Sequence, residues 1–334
     1  MQRFIMLKMF VAALGASAAA SATVSLVAPV RFAATRAQAC RKRLPVAALG
    51  AGLLGLGMAL GGACPGMVLA QVGAGVASAR ATLLGGLAGA ATHAVLQPTL
   101  ARVWPAYGQP NAAPTFVEQV LLKGDNGKPP AYAAVALPLA AVCFAACLGL
   151  EALVPWKGEA AAVLPIGTAR LGLAHGLGAA AWPPQVGGAL IGALQLPLWL
   201  LLGNTLGSSA AYVTAVACVL PDRPGCTDLA CKRGPANLWQ VAFVTAGIAG
   251  AALSAHASGT AGAVPGINQL KGFAGGFAML FGARVAGGCT SGHGISGFAL
   301  LSAASVVAVP AMFGGGIATA VAVRAATSLL GRRR

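Results

Sequence analysis

Two cysteines of this 334-residue chain lie in short motifs that could bind a ligand. Cys64 lies in GGACPG and Cys289 lies in GGCTSGHG, so glycines flank each thiol. A thiol is a weak, polarizable hydrogen-bond donor, which suits a sulfur atom better than a hard, strongly hydrated oxyanion. The two motifs therefore predict contacts with a sulfur-bearing anion.

Both motifs also predict breaks in helices. Pro65 removes a backbone donor and Gly66 permits positive φ, so a helix that begins at Gly50 should stop near Cys64, and a new helix should follow. A helix that starts at the middle of a bilayer directs its unsatisfied N–H groups and its positive dipole end at whatever lies there. Two such starts, one from each motif, would form an anion site.

The second motif allows the same break around Cys289. Thr290 and Ser291 are good cap residues for the helix that follows, and their hydroxyls could hold the oxygens of an anion. We expect the residues of the two motifs to line the pathway of the anion. They are Gly62, Cys64, Pro65, Gly66, Gly287, Gly288, Cys289, Thr290, Ser291 and Gly292.

Two ionisable residues beside the second motif each allow two interpretations. His293 would lie on the first turn after the break, either in the anion site or as a structural histidine with satisfied hydrogen bonds. Arg284 is a charge inside an apolar segment, which is costly in a membrane, so it either attracts the anion near its route or anchors the helix end. The chain has no His-x-x-x-His or Cys-x-x-Cys arrangement, so we expect neither a metal nor another cofactor.

The composition identifies the elements that must position these residues. Hydrophobic residues make up 57% of the chain and charged residues only 8%, whereas about a quarter of a soluble protein is charged. We therefore predict an all-α, polytopic membrane protein with broken, re-entrant helices near the bilayer centre.

The net charge of +16 comes from cations that cluster at the ends of apolar runs. They are concentrated at residues 31–43 and 332–334, as in the cytoplasmic flanks of membrane helices, and not in a stripe that would bind nucleic acid. We expect residues 36–43 and the C-terminus to face the cytoplasm. The expected location is the cell membrane, with an organelle inner membrane as the alternative.

An internal repeat divides the chain into two halves. With Cys64 set against Cys289, residues 50–75 match residues 275–297, and the glycines at 50, 57 and 62 fall on those at 275, 282 and 287. We predict pseudo-symmetric halves at 1–130 and 131–334 within one membrane domain. A glycine-rich hairpin at 183–219 precedes only the second motif, so symmetry alone places its counterpart upstream of Met1.

The segments FGARVAGGCTSGHGISG and GMALGGACPGMVLAQVGAG resemble the two motifs of the YeeE/YedE sulfur-transport family. The resemblance covers nearly the whole chain and implies thiosulfate uptake through a membrane protein of pseudo-symmetric halves. It also implies that Cys64 and Cys289 are the functional cysteines. A further family cysteine lies on the hairpin that this chain lacks before its first motif, and Cys218 is a candidate symmetry-related substitute.

The sequence therefore predicts a transporter of a small sulfur-containing anion, most simply thiosulfate, and not an enzyme. Its partners would be the anion and the lipid bilayer, with a soluble sulfur carrier or sulfurtransferase as a further candidate. The alternatives are a membrane-embedded thiol protein that forms a persulfide on Cys289, or an inactive truncated homologue.

Overall fold

The computed structural model describes residues 4–39, 41–108, 115–120, 130–161, 171–221, 226 and 237–331. Within these ranges the chain is helical, and its β-structure consists of two isolated bridges. Segments long and apolar enough to cross a membrane are Ile5–Val27, Leu44–Gly73, Tyr132–Leu153, Pro184–Leu202, Leu238–Ala257 and Ala303–Ser328. The prediction of an all-α polytopic membrane protein is confirmed.

The helices before residue 162 are α1 (Ile5–Val27), α2 (Pro29–Arg36), α3 (Leu44–Gly61), α4 (Pro65–Gly73), α5 (Ala79–Val103), α6 (Pro105–Gly108), α7 (Val117–Val120), α8 (Tyr132–Leu153) and α9 (Trp156–Ala161). Those after it are α10 (Pro184–Ala193), α11 (Gln195–Pro197) with a π-helical turn at Leu198–Leu202, α12 (Ser209–Val219), α13 (Leu238–Ala257), α14 (Gln269–Ala286), a π-helix at Thr290–Gly297 and α15 (Ala303–Gly331). A short 3₁₀ helix covers Leu173–Gly178.

The centre of the fold is a close crossing of α3 and α14 through glycines. A Cβ built on Gly50 would lie 2.9 Å from the carbonyl oxygen of Gly282, and one on Gly57 would lie 2.6 Å from that of Gly275. Ordinary van der Waals contacts of a Cβ are 3.4–4 Å. The two backbones can approach this closely only because these positions lack side chains.

Helices from the two predicted halves pack on each other in a crossed pattern. Helix α5, which follows the first motif, packs against α14, whereas α15, which follows the second motif, packs against α3. Helix α13 packs against α4, and α1 packs against the π-helix at Thr290–Gly297. Each break is thus enclosed by helices from the other part of the chain.

The predicted hairpin at 183–219 is present and reaches the core at its turn. Gly188 and Gly192 let α10 lie directly on the backbone of α1. The fully buried Gln195 accepts hydrogen bonds through Oε1 from the backbone N–H of Leu206, at 3.1 Å, and from the hydroxyl of Ser296, at 3.0 Å. These bonds fix the hairpin turn against the π-helix.

Each acidic residue in the described part of the chain takes part in an ion pair. The fully buried Lys8 lies 2.9 Å from Glu151 and 3.2 Å from Glu159, where α1, α8 and α9 meet. Arg36, at the end of α2, pairs with Glu118 of α7. These charges join helix ends to one another and stabilise the bundle.

Candidate functional site

The first motif breaks the helix as predicted. Helix α3 ends at Gly61, and Gly62 adopts a left-handed conformation with φ 67°. Cys64 is extended and occupies the N-cap of α4, with Pro65 at the first helical position, where its missing N–H costs nothing. The Cys64 thiol accepts a hydrogen bond from the backbone N–H of Met67 at 3.4 Å.

The second motif repeats these backbone states. Gly287 follows the end of α14 with φ 82°, and the extended Cys289 precedes the π-helix. The expectation that Thr290 and Ser291 cap this helix is wrong, because Cys289 occupies the cap position. The chain turns at Gly287, two residues before Cys289. The hydroxyls of Thr290 and Ser291 therefore lie in the first turn of the π-helix, next to the cysteine.

The fold brings the two motifs together. Ser208 Oγ lies 3.7 Å from Cys289 Sγ of the second motif and 3.3 Å from a Cβ built on Gly66 of the first, so one side chain lies against both motifs. Cys289 Sγ lies 3.2 Å from Ser291 Oγ, and a Cβ built on Gly292 would lie 3.9 Å from the same sulfur. Cys64 is partly exposed, whereas Cys289 is completely buried, so the two thiols differ in how far the surrounding helices enclose them.

A third helix start, which the sequence analysis missed, meets these two. Ser208 occupies the N-terminal cap position of α12, and its Oγ lies 3.7 Å from Cys289 Sγ and 3.2 Å from Ser291 Oγ. The Tyr212 hydroxyl, one turn further on, donates to the carbonyl of Pro65 at 2.9 Å. The polar run GSSAAY within an otherwise apolar hairpin was the available sequence signal.

His293 is buried and makes a hydrogen bond through each of its two ring nitrogens. Its Nε2 lies 3.2 Å from the carbonyl oxygen of Ala286, which can only accept, so Nε2 carries the proton. Nδ1 therefore accepts the hydroxyl of Ser305 at 2.9 Å. A Cβ on Gly288 would lie 2.8 Å from the ring, so this glycine makes room for it. The ring joins the end of α14 to α15.

Two other candidates lie on α12 and α14. Cys218 is exposed, nine residues beyond Ser209 on α12, which corresponds to about 14 Å along the helix axis. Cys218 is therefore not part of the contacts around Cys289. Arg284 is partly buried in the last turn of α14. In the described ranges, no group of three or more histidine, cysteine or acidic residues could hold a metal ion.

The comparison with protein families agrees with this arrangement of motifs and helices. A family model described as sulphur transport matches residues 1–318. A search of curated proteins finds no match. Because the family match spans nearly the entire sequence, the chain belongs to the sulphur transport (YeeE/YedE) family of membrane proteins.

Proposed function

We propose that this protein takes up thiosulfate across the cell membrane, with Cys64 and Cys289 as successive contacts of the anion. The observation that carries the proposal is that the two cysteine motifs, 225 residues apart in sequence, both lie against the Ser208 side chain. Membership of a sulphur transport family supports a sulfur-containing anion as the substrate.

The site can stabilise an anion without a dedicated cation. The first turns of α4, of the π-helix and of α12 present backbone N–H groups that have no intrahelical partner. The hydroxyls of Thr290 and Ser291 would hold the oxygens of thiosulfate while its terminal sulfur contacts a thiol. Arg284, in the last turn of α14, would add a longer-range attraction along the route.

The crossed helix packing supports two halves related by a pseudo-two-fold axis. Under the alignment of the two motifs, Gly50 corresponds to Gly275 and Gly57 to Gly282. A two-fold exchange of these positions turns the contact between Gly50 and Gly282 into the contact between Gly275 and Gly57, and both contacts exist. The packing of α5 on α14 and of α15 on α3 is exchanged in the same way. We therefore divide the domain at residues 1–130 and 131–334.

The burial of Cys289 favours a carrier over a sulfur-transferring thiol protein. A soluble sulfur carrier would have to reach this sulfur, which is fully enclosed between the π-helix and α12. The nearest histidine, His293, already uses both ring nitrogens in hydrogen bonds, so it does not activate the thiol as a base.

Uptake into liposomes that contain only the purified protein tests the proposal. We expect radiolabelled thiosulfate to accumulate, and excess unlabelled thiosulfate to compete far better than sulfate, which has the same charge but no terminal sulfur. Failure to take up thiosulfate, together with a persulfide on Cys289 by mass spectrometry, would favour the thiol-protein alternative.

A further inference from the structure

Ser208 lies between the two cysteine motifs. Its Oγ is 3.7 Å from Cys289 Sγ, and a Cβ built on Gly66 of the first motif would lie 3.3 Å from the same oxygen. The residue is 93% buried, since its relative exposure is 7%. The hydroxyl of Ser208 therefore lies between Gly66 of the first motif and Cys289 of the second.

The hydroxyl of Ser208 does not make the hydrogen bond to its own helix that is usual for a serine at an N-terminal cap position. A serine at an N-terminal cap normally accepts from a backbone N–H of its own helix. Ser208 makes no such side-chain cap bond to α12. Its hydroxyl instead interacts with Ser291 Oγ at 3.2 Å, and its backbone N–H donates to the same oxygen at 3.1 Å. The side chain is thus directed at the second motif and not at its own helix.

The groups in this cluster can change partners when an anion arrives. The hydroxyls of Ser208 and Ser291 and the thiol of Cys289 are each both donor and acceptor, so they satisfy one another in the closed arrangement. The oxygens of an anion can only accept hydrogen bonds. The two hydroxyls, the Cys289 thiol and the Ser208 N–H would therefore all donate to the anion. Hydrogen bonds from such donors to a charged group are stronger than those between neutral groups.

We propose that Ser208 closes the route between the two thiols and becomes a ligand of the anion when the route opens. This inference rests on the proposed function, because the ligand is the transported anion. It adds to that function a third element, the hairpin of α10 to α12, which decides when the anion passes from the partly exposed Cys64 to the enclosed Cys289.

Labelling of the individual cysteines tests this gate without measuring transport. The purified full-length protein is treated with a small anionic methanethiosulfonate reagent, and the reacted peptides are counted by mass spectrometry. We expect the Ser208→Ala substitution to increase the labelling rate of Cys289 about fivefold, the factor by which loss of one hydrogen bond shifts an open population. Thiosulfate should protect Cys289 in both proteins, but at a several-fold higher concentration in the variant.

Two controls separate a gate from a loosened fold. Ser17→Ala removes a fully buried hydroxyl of α1 that has no hydrogen-bond partner among the described residues, and it should leave Cys289 labelling unchanged. The buried Cys143 and Cys147 of α8 report general opening and should stay unreactive. If Ser208→Ala exposes them too, Ser208→Thr decides the question, because threonine keeps the hydroxyl and must keep Cys289 protected.

The outcomes distinguish this inference from the proposed function. Unchanged Cys289 labelling and unchanged thiosulfate protection in Ser208→Ala would overturn the gate, as would rapid Cys289 labelling in Ser208→Thr. If the gate is overturned but liposomes with the wild-type protein take up thiosulfate, the transport function stands and only the role of Ser208 is lost. If labelling responds as expected but thiosulfate gives no protection and no uptake, the proposed substrate is wrong.

Discussion

Adding a single methyl group at Gly57 should separate the two helices that carry the cysteine motifs. A Cβ at this position would lie 2.5 Å from Met279 Cα, whereas ordinary contacts begin at 3.4 Å. Helices α3 and α14 must therefore move apart by roughly 1 Å to restore normal contacts. Both motifs follow directly from the ends of these helices, so this displacement is carried into the site.

The expected loss of stability follows from comparing Gly57→Ala with a matched glycine-to-alanine substitution elsewhere in the membrane helices. In the described part of the chain no atom lies within 4 Å of a Cβ built on Gly247 of α13, so Gly247→Ala should raise the free energy of unfolding by about 1 kcal/mol through helix propensity. Gly57→Ala has the same gain but an overpacking cost of roughly 1–3 kcal/mol. The free energy of unfolding should therefore be about 1–3 kcal/mol lower for Gly57→Ala than for Gly247→Ala.

Thermal unfolding in detergent and thiosulfate uptake in liposomes measure the two effects. We expect Gly57→Ala to fold but to transport at least about tenfold more slowly, because a shift of about 1 Å strongly reduces interactions that depend on exact positioning. Gly247→Ala should transport like the wild type. Equal melting temperatures and equal transport in the two variants would refute the idea that the α3–α14 crossing positions the site.

Two further substitutions test the buried polar groups. Lys8→Met leaves Glu151 and Glu159 without their shared cation and should lower the free energy of unfolding by about 3–5 kcal/mol. The control Lys157→Met replaces an exposed lysine and should change the free energy of unfolding by less than about 0.5 kcal/mol. Similar melting curves in the two variants would contradict the structural role of the ion cluster. Gly288→Ala should displace the ring of His293 from its hydrogen bonds, lower the free energy of unfolding by about 1–3 kcal/mol and reduce thiosulfate uptake. In the control Gly314→Ala, the new Cβ has no described atom within 4 Å, so stability and uptake should stay like those of the wild type. Wild-type behaviour of Gly288→Ala in both assays would show that the ring does not hold the helix end.

The backbone of the site could be predicted from local rules. Pro65 and the glycine-rich sequence fix where α3 must end, and the internal repeat transfers the same conclusion to Cys289. These features depend on φ/ψ limits and on missing N–H donors, which a short segment determines by itself. The position of the two breaks was accordingly confirmed to within a few residues.

The side chains that complete the site depend on contacts over long sequence distances. Ser208 reaches Cys289 only because α10 lies on α1 and Gln195 fixes the hairpin turn, and no local pattern encodes that approach. The cap at Cys289 and the exposed position of Cys218 were missed for related reasons. The sequence showed a hydroxyl beside a thiol and a thiol on a hairpin, but not which direction each one faces.

Thiosulfate uptake by liposomes that contain Cys64→Ser, Cys289→Ser or Cys218→Ser protein tests the central claim most directly. Serine keeps the size and the donor of cysteine but removes the polarizable sulfur. The structure predicts that each of the first two substitutions reduces uptake at least about tenfold, whereas Cys218→Ser, which replaces an exposed thiol away from the site, transports like the wild type. Wild-type uptake by both Cys64→Ser and Cys289→Ser would contradict a route that passes from one thiol to the other.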